Sequence, residues 1–235
     1  MRWKLRTPVM LAAVFWLVAA CGTGRKSAGK AKPEPGKFHT VSDVGLDEVA
    51  RTYRSAYGRT GAQYRYISAS GLLRYSGTAS KVEYETVKGR DFLLTAGGKV
   101  LVDVKDGRVQ RPAEADEYAR GLLLIYTGSV INPVWEHALR KGELKKLAPQ
   151  EVNGLMADVY VWAYGGHYFL FYVGRAHHYI IRKEYAEATT DKTLWRMDFS
   201  DFRRTDGTMI PYQWFVTDNE AHTSYKIFWH KFRLE

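Results

Sequence analysis

Two adjacent histidines, His177 and His178, and two aspartates three residues apart, Asp198 and Asp201, are the side chains whose types could bind a metal or move protons. Imidazoles are common zinc ligands, but neighbouring residues on a strand point to opposite faces, so this pair cannot close on one ion without a bulge. The two carboxylates would suit a glycosidase, which sets a pair of acids across the scissile bond. At i, i+3 on a strand they diverge as well, and Arg203 and Arg204 offer them ion-pair partners. Glu136, His137 and Arg140 share a short helical stretch in which Glu136 and Arg140 have the spacing of a surface ion pair. Ser27-Ala28-Gly29-Lys30 spells serine-x-x-lysine, yet that chemistry needs its serine at a helix N-terminus inside a pocket, and the segment around it has no apolar periodicity. Nucleophile elbows, phosphate-binding loops, dinucleotide fingerprints and paired-cysteine metal motifs do not occur. The expectation is a non-enzymatic protein with no catalytic residue, no metal and no cofactor.

Covalent modification is another matter. Cys21, the single cysteine of the chain, ends Val18-Ala19-Ala20-Cys21 and follows an apolar run over residues 9–20, itself preceded by Arg2, Lys4 and Arg6. A positive start and an apolar core too short for a comfortable transmembrane helix mark an export signal. The four residues resemble a bacterial lipobox, whose cysteine is acylated and becomes the mature N-terminus after cleavage; an ordinary signal peptide beside a chance cysteine is the alternative. An exported cysteine with no partner in its own chain otherwise lacks an explanation. Two or more acyl chains hold a protein on a bilayer where one holds it marginally. Gly22 stands where an aspartate is associated with inner-membrane retention, so the expected location is the outer membrane, with the domain facing the periplasm.

The formal net charge of +10 suggests a nucleic-acid binder until it is located. Residues 1–37 hold eight Lys or Arg against one acid, Glu34, so most of the excess sits in the leader and the segment behind it. Such a tail suits an anionic membrane surface, at about 1 kcal/mol per basic residue close to it, and no nucleic-acid partner is expected. Residues 23–40 are rich in Gly, Lys, Pro, Ser and Ala and read as a tether. It would hold the domain roughly 20–25 Å from the anchor. The chain thus divides into a signal peptide, 1–20, an acylated cysteine with a flexible basic tether, 21–40, and one folded domain, 41–235, with enough apolar content for one sizeable core.

Within the domain, Leu46, Val49, Ala50, Tyr53, Ala56 and Tyr57 recur at helical spacing after Ser42 and Asp43 and before Gly58, which predicts an amphipathic helix. Strands are expected over 63–75, 80–87, 91–96 and 99–105, separated by Ser76-Gly77, Lys88-Gly89 and Gly97-Gly98. A second helix starts at Pro112, carries Tyr118, Leu122 and Ile125 on its stripe and ends at Gly128; a third runs from Asn132-Pro133 through Trp135 and Leu139 to Gly142. Strands resume over 144–152, 155–164, 168–173 and 178–186, and three longer ones fill 194–202, 209–217 and 223–234, for eleven strands and three helices. The last of these is apolar on both faces, which places it inside a sheet. Between 155 and 164 both faces are apolar too, so both need cover.

The run from Asp198 to Pro211, Asp-Phe-Ser-Asp-Phe-Arg-Arg-Thr-Asp-Gly-Thr-Met-Ile-Pro, followed by an aromatic strand, resembles the closing meander of the LolA-like and LolB-like outer-membrane lipoprotein-sorting proteins. The likeness extends from about Leu46 to the end. It implies a mainly β (α+β) fold: a strongly curved antiparallel sheet, an incomplete barrel, with helices on its concave face. It also implies a lipid or acylated ligand held in the hollow, for transport, sorting or sensing. The expected walls are Leu122, Ile125, Trp135, Leu139, Tyr160, Trp162, Trp195, Met197, Phe199 and Trp214. Expected partners are a membrane through lipidated Cys21, the lipid ligand and other envelope proteins. The competing expectation is the same domain with a filled core, an interaction subunit of an envelope assembly.

Overall fold

The computed structural model describes residues 40–42, 45–58, 64–87, 91–106, 108–110, 135, 138–139, 141 and 143–235. Its strands are β1 (Thr40–Ser42), β2 (Tyr66–Tyr75), β3 (Thr78–Val87), β4 (Asp91–Ala96), β5 (Lys99–Lys105), β6 (Arg108–Val109), β7 (Lys145–Val152), β8 (Leu155–Tyr164), β9 (His167–Gly174), β10 (Ile180–Glu187), β11 (Thr193–Thr205), β12 (Thr208–Asp218) and β13 (Thr223–Leu234). Eleven of them answer to the eleven expected; β1 and β6 are short additions at the two edges. All lie in one antiparallel sheet of order β1-β7-β8-β9-β10-β11-β12-β13-β2-β3-β4-β5-β6. Because β1 and β6 do not pair, the curved sheet stays unclosed.

Turn chemistry explains why the chain reverses so often. Asn153-Gly154 and Asp206-Gly207 both hold positive φ at two successive positions, 51° and 80° in one and 47° and 82° in the other. That geometry matches the twist of the flanking strands, and glycine adopts its second half without strain. The last strand does lie inside the sheet. β13 pairs with β12 on one side and β2 on the other, joining the C-terminal meander to the N-terminal one. Only its inner face is buried, however; Lys226, His230 and Lys231 on or near the other face are exposed.

The helix α1 (Leu46–Tyr57) falls where the periodicity puts it, with Asp47 and Glu48 in its first turn and Arg54 in its last, each favourable to the helix dipole. Its N-cap is Gly45, with no side-chain cap. Three complete helices are not found: α1 is the one complete helix among the described residues. The expected helix over 112–128, with Leu122 and Ile125, lies outside the described residues. Of the expected third helix, Trp135, Ala138, Leu139 and Lys141 are described and helical. The strand expected from His178 starts at Ile180 instead, because His178 turns the chain with φ 58° and donates its backbone N–H to the Gly174 carbonyl at 2.7 Å. No described helix is long and apolar enough to cross a membrane.

Two apolar clusters sit on opposite faces. The larger covers the face under α1, here the inner face, and takes residues from β2–β5 and β8–β13 together with Tyr53, Tyr57, Trp135 and Ala138. The smaller uses the other face of β7–β10: Leu147, Val159, Val161, Tyr168, Leu170 and Tyr172 are its main members. Seven of the eight residues of β9 are buried, which is what the apolar runs at 155–164 and 168–173 require.

Candidate ligand-binding face

α1 is held over the sheet at its C-terminal end. Gly58 bridges to Thr208, and a Cβ added at Gly58 would meet the Gly207 carbonyl oxygen at 2.0 Å, so no larger residue fits where the helix runs into the β11–β12 turn. Tyr64 locks the same corner through a short hydrogen bond between its hydroxyl and that of Thr208. One turn back, the Ile180 N–H donates to the Tyr57 hydroxyl at 2.8 Å, and burial pushes that phenol above its ordinary pKa, so it stays neutral.

From Tyr57 an aromatic chain runs across the inner face. Tyr57 meets Tyr179 edge-on at 5.5 Å and Tyr53 at 4.5 Å; Tyr53 touches Trp135 at 5.6 Å, and Trp135 lies against Tyr160 and Phe171 at 5.5 and 5.0 Å. Trp162 stacks with Tyr164 at 5.0 Å and donates its indole N–H to Glu143 at 2.8 Å. Further along the sheet, Phe199, Trp214, Trp229, Phe232 and Tyr212 follow one another edge-on or tilted at 5.1 to 6.0 Å. Centroid spacings of this kind are favourable beyond simple burial.

Eight of the ten expected wall residues are described. Trp135, Tyr160, Trp162, Trp195, Met197, Phe199 and Trp214 belong to the inner cluster, and Leu139 packs against it. Leu122 and Ile125 lie outside the described residues, as does Cys21. Three buried polar atoms on this face, Trp135 Nε1, Trp229 Nε1 and Thr86 Oγ1, have no hydrogen-bond partner among the described residues. Each such group costs about 1–3 kcal/mol when left unmade.

Sequence reasoning missed Lys183. It sits on β10 directly opposite Phe171 and Met197, with its ammonium 5.3 Å from the Phe199 ring centroid, and is 5% exposed. Burial lowers its pKa to about 7. Alternation read from Ile180 puts Lys183 on the opposite side, but the ladder is irregular between Ile180 and Arg182, and that shift turns Lys183 inward. Its chain neighbours Arg182 and Glu184 are both charged, so no local signal pointed inward.

The residues whose types suggested chemistry do not converge. His177 and His178 are exposed in the turn before β10, and His177 stacks on Tyr179 at 5.9 Å. Asp201 forms a two-pronged ion pair with Arg203, at 2.9 and 2.6 Å, which holds its carboxyl below its usual range. Asp198 lies elsewhere, 2.6 Å from Arg182 and 3.5 Å from Arg196. Glu184 completes that group by accepting from the Tyr172 hydroxyl at 3.0 Å; burial raises its pKa. Glu136, His137 and Arg140 lie outside the described residues. Among the described residues no three His, Cys, Asp or Glu side chains cluster as a metal site would need.

No protein-family model matches the sequence, and no curated protein matches it. Solved structures do match. A domain from Vibrio parahaemolyticus, described as belonging to an outer membrane lipoprotein-sorting protein, aligns over 81% of this chain and 92% of its own, with 11% identity and a TM-score of 0.55. A DUF1329 family protein from Desulfovibrio piger aligns over 81% and 92%, with 13% identity and a TM-score of 0.51. A LolA superfamily protein from Nitrosomonas europaea covers 82% and 94% at 10% identity and a TM-score of 0.49. With the curved open sheet, the interposed β13 and the helix on the inner face already in place, the first two likenesses show that this chain shares its fold with that outer membrane lipoprotein-sorting domain and the DUF1329 protein.

Proposed function

We propose that the domain is a carrier or sensor that binds a lipid or acylated ligand against its inner face, beneath α1. The observation that carries this reading is the single apolar face that gathers Trp135, Tyr160, Trp162, Met197, Phe199 and Trp214 under one helix. An acyl chain placed there gains up to about 0.8 kcal/mol per methylene before ordering costs, and it needs apolar walls rather than catalytic groups. Support also comes from the fold, shared with a domain described as a lipoprotein-sorting protein. In this reading Cys21 carries the acyl anchor, residues 21–40 tether the domain to the outer membrane, and the domain works in the periplasm.

All five tryptophans of the folded domain, Trp135, Trp162, Trp195, Trp214 and Trp229, belong to the inner cluster, which makes the test specific. Brominated fatty-acyl probes quench indoles only at short range. Titrating them into the protein should lower tryptophan emission saturably, while unbrominated analogues compete the effect away, and protein extracted from its own envelope should carry lipid in native mass spectrometry. No quenching and no co-purifying lipid would reject the carrier reading in favour of a filled core that acts through its surface on other envelope proteins.

A further inference from the structure

A groove of about 460 Å³ opens on the molecule where the β2–β3 turn meets β12 and β13; Arg74, Tyr75, Phe215 and Lys226 line it. Arg74 and Lys226 are direct cross-strand partners, so both point away from the buried inner face. Like charges set opposite one another on a ladder repel. No acid among the described residues offsets them, since neither cation forms an ion pair there. Each lies over a ring instead. The Arg74 guanidinium is 5.3 Å from the Phe228 centroid, and the Lys226 ammonium is 5.5 Å from that of Phe215. Tyr75, 42% exposed, stands at the rim and meets Tyr225 edge-on at 6.5 Å.

This combination selects a ligand chemistry. Two cations with no carboxylate between them favour an oxyanion with several oxygens, and guanidinium geometry suits phosphate. A free phosphate would satisfy the cations and leave the half-buried Phe215 ring partly in water; a phosphate attached to an apolar body would cover it. We propose that this groove binds the phosphate group of an anionic phospholipid through the outward-facing Arg74 and Lys226. Trp195 lies 6.2 Å from Tyr225, which lines the groove, so occupancy of the groove is read by calorimetry on variants of Arg74 and Lys226 rather than by tryptophan quenching.

Calorimetric titration of the full-length protein in a neutral detergent tests this, with three probes: dihexanoylphosphatidylglycerol, dihexanoylphosphatidylcholine and inorganic phosphate. The anionic lipid should bind saturably and lose affinity as salt is raised, as an attraction between exposed charges does. The double variant Arg74→Gln/Lys226→Gln should weaken it about tenfold or more, the scale of one lost charge-assisted hydrogen bond. Lys99→Gln, an exposed cation on β5 outside the groove, should leave it unchanged. Removing two like charges relieves repulsion, so the double variant should melt no lower than the parent, and lost binding cannot then be lost folding. Equal binding of the choline lipid, or unchanged affinity in the double variant, overturns the proposal. Inorganic phosphate binding as tightly as the lipid also overturns it, leaving a small-anion site only.

Discussion

Strands β8–β10 and strands β2, β12 and β13 belong to one sheet but live in different surroundings. In the first group both faces are largely buried; in the second, one face packs on the inner cluster and the other is mostly half-buried or exposed. Aromatic residues fill both groups, so composition alone does not separate them. Register does. Phe171 and Tyr168 on β9 point to opposite faces and are both buried, whereas Ile227 is buried and its neighbour Phe228 is only half-buried beside the Arg74 guanidinium. An aromatic side chain in this fold thus contributes according to the strand it stands on rather than its identity.

The sharpest way to break that contrast is truncation on both faces. Trp135→Ala and Tyr168→Ala, one in each cluster, should each cost about 3–5 kcal/mol in denaturant unfolding, while Phe228→Ala should cost less than about 1 kcal/mol. If Tyr168→Ala is as mild as Phe228→Ala, the second face of β9 is not core. Lys183 gives a pH-dependent version of the same question. Its folded pKa of about 7 lies below the ordinary 10.5, so between those values the unfolded chain binds the extra proton. Stability therefore rises with pH across that window, by at most about 1.4 kcal/mol per unit, and the full cost of burial is present below it. Lys183→Met should consequently stabilise the protein most near and below neutral pH, with the gain shrinking as the solution becomes alkaline. A gain that ignores pH would mean that the ammonium is solvated.

Smaller effects test the seam and the surface. A Cβ at Gly71 would meet the Phe228 carbonyl oxygen at 2.4 Å, where β2 joins β13. Gly71→Ala should cost about 1–3 kcal/mol, as overpacking does, and thermal melting would reveal it. Arg175→Ala, which removes a largely exposed ion pair with Asp158 at 2.8 Å near the start of β8, should change stability by less than about 1 kcal/mol, and less still in high salt.

Much of this was legible in the residues. Gly-containing turns and alternating apolar positions located eleven strands, and the stripe from Leu46 to Tyr57 located α1, because those signals are local. Pairings between distant segments are not local: nothing in Thr40–Ser42 announces that it pairs with β7 across a hundred residues. Irregular registers also escaped, and with them Lys183, since a single slip in the ladder moves a side chain from one face to the other. His178 escaped for a related reason, as its left-handed backbone ends a stretch that reads as strand. Of the ten expected wall residues, the six that stand on strands share the inner face because period-2 alternation sorts one face from the other, whereas the groove at Arg74 and Lys226 depends on which strands become neighbours.

The position of β13 has a consequence for how the molecule comes into being. Apart from the short β1–β7 pairing, the strands before residue 110 and those after residue 144 meet as a sheet at β13, with β12 on one flank and β2 on the other. Until that strand arrives, each half is a separate meander with an open edge, and the ladders that close the gap span long stretches of chain, the kind of contact that forms slowly. Joining the two meanders into one sheet therefore waits on β13, whose ladders on both flanks must form together.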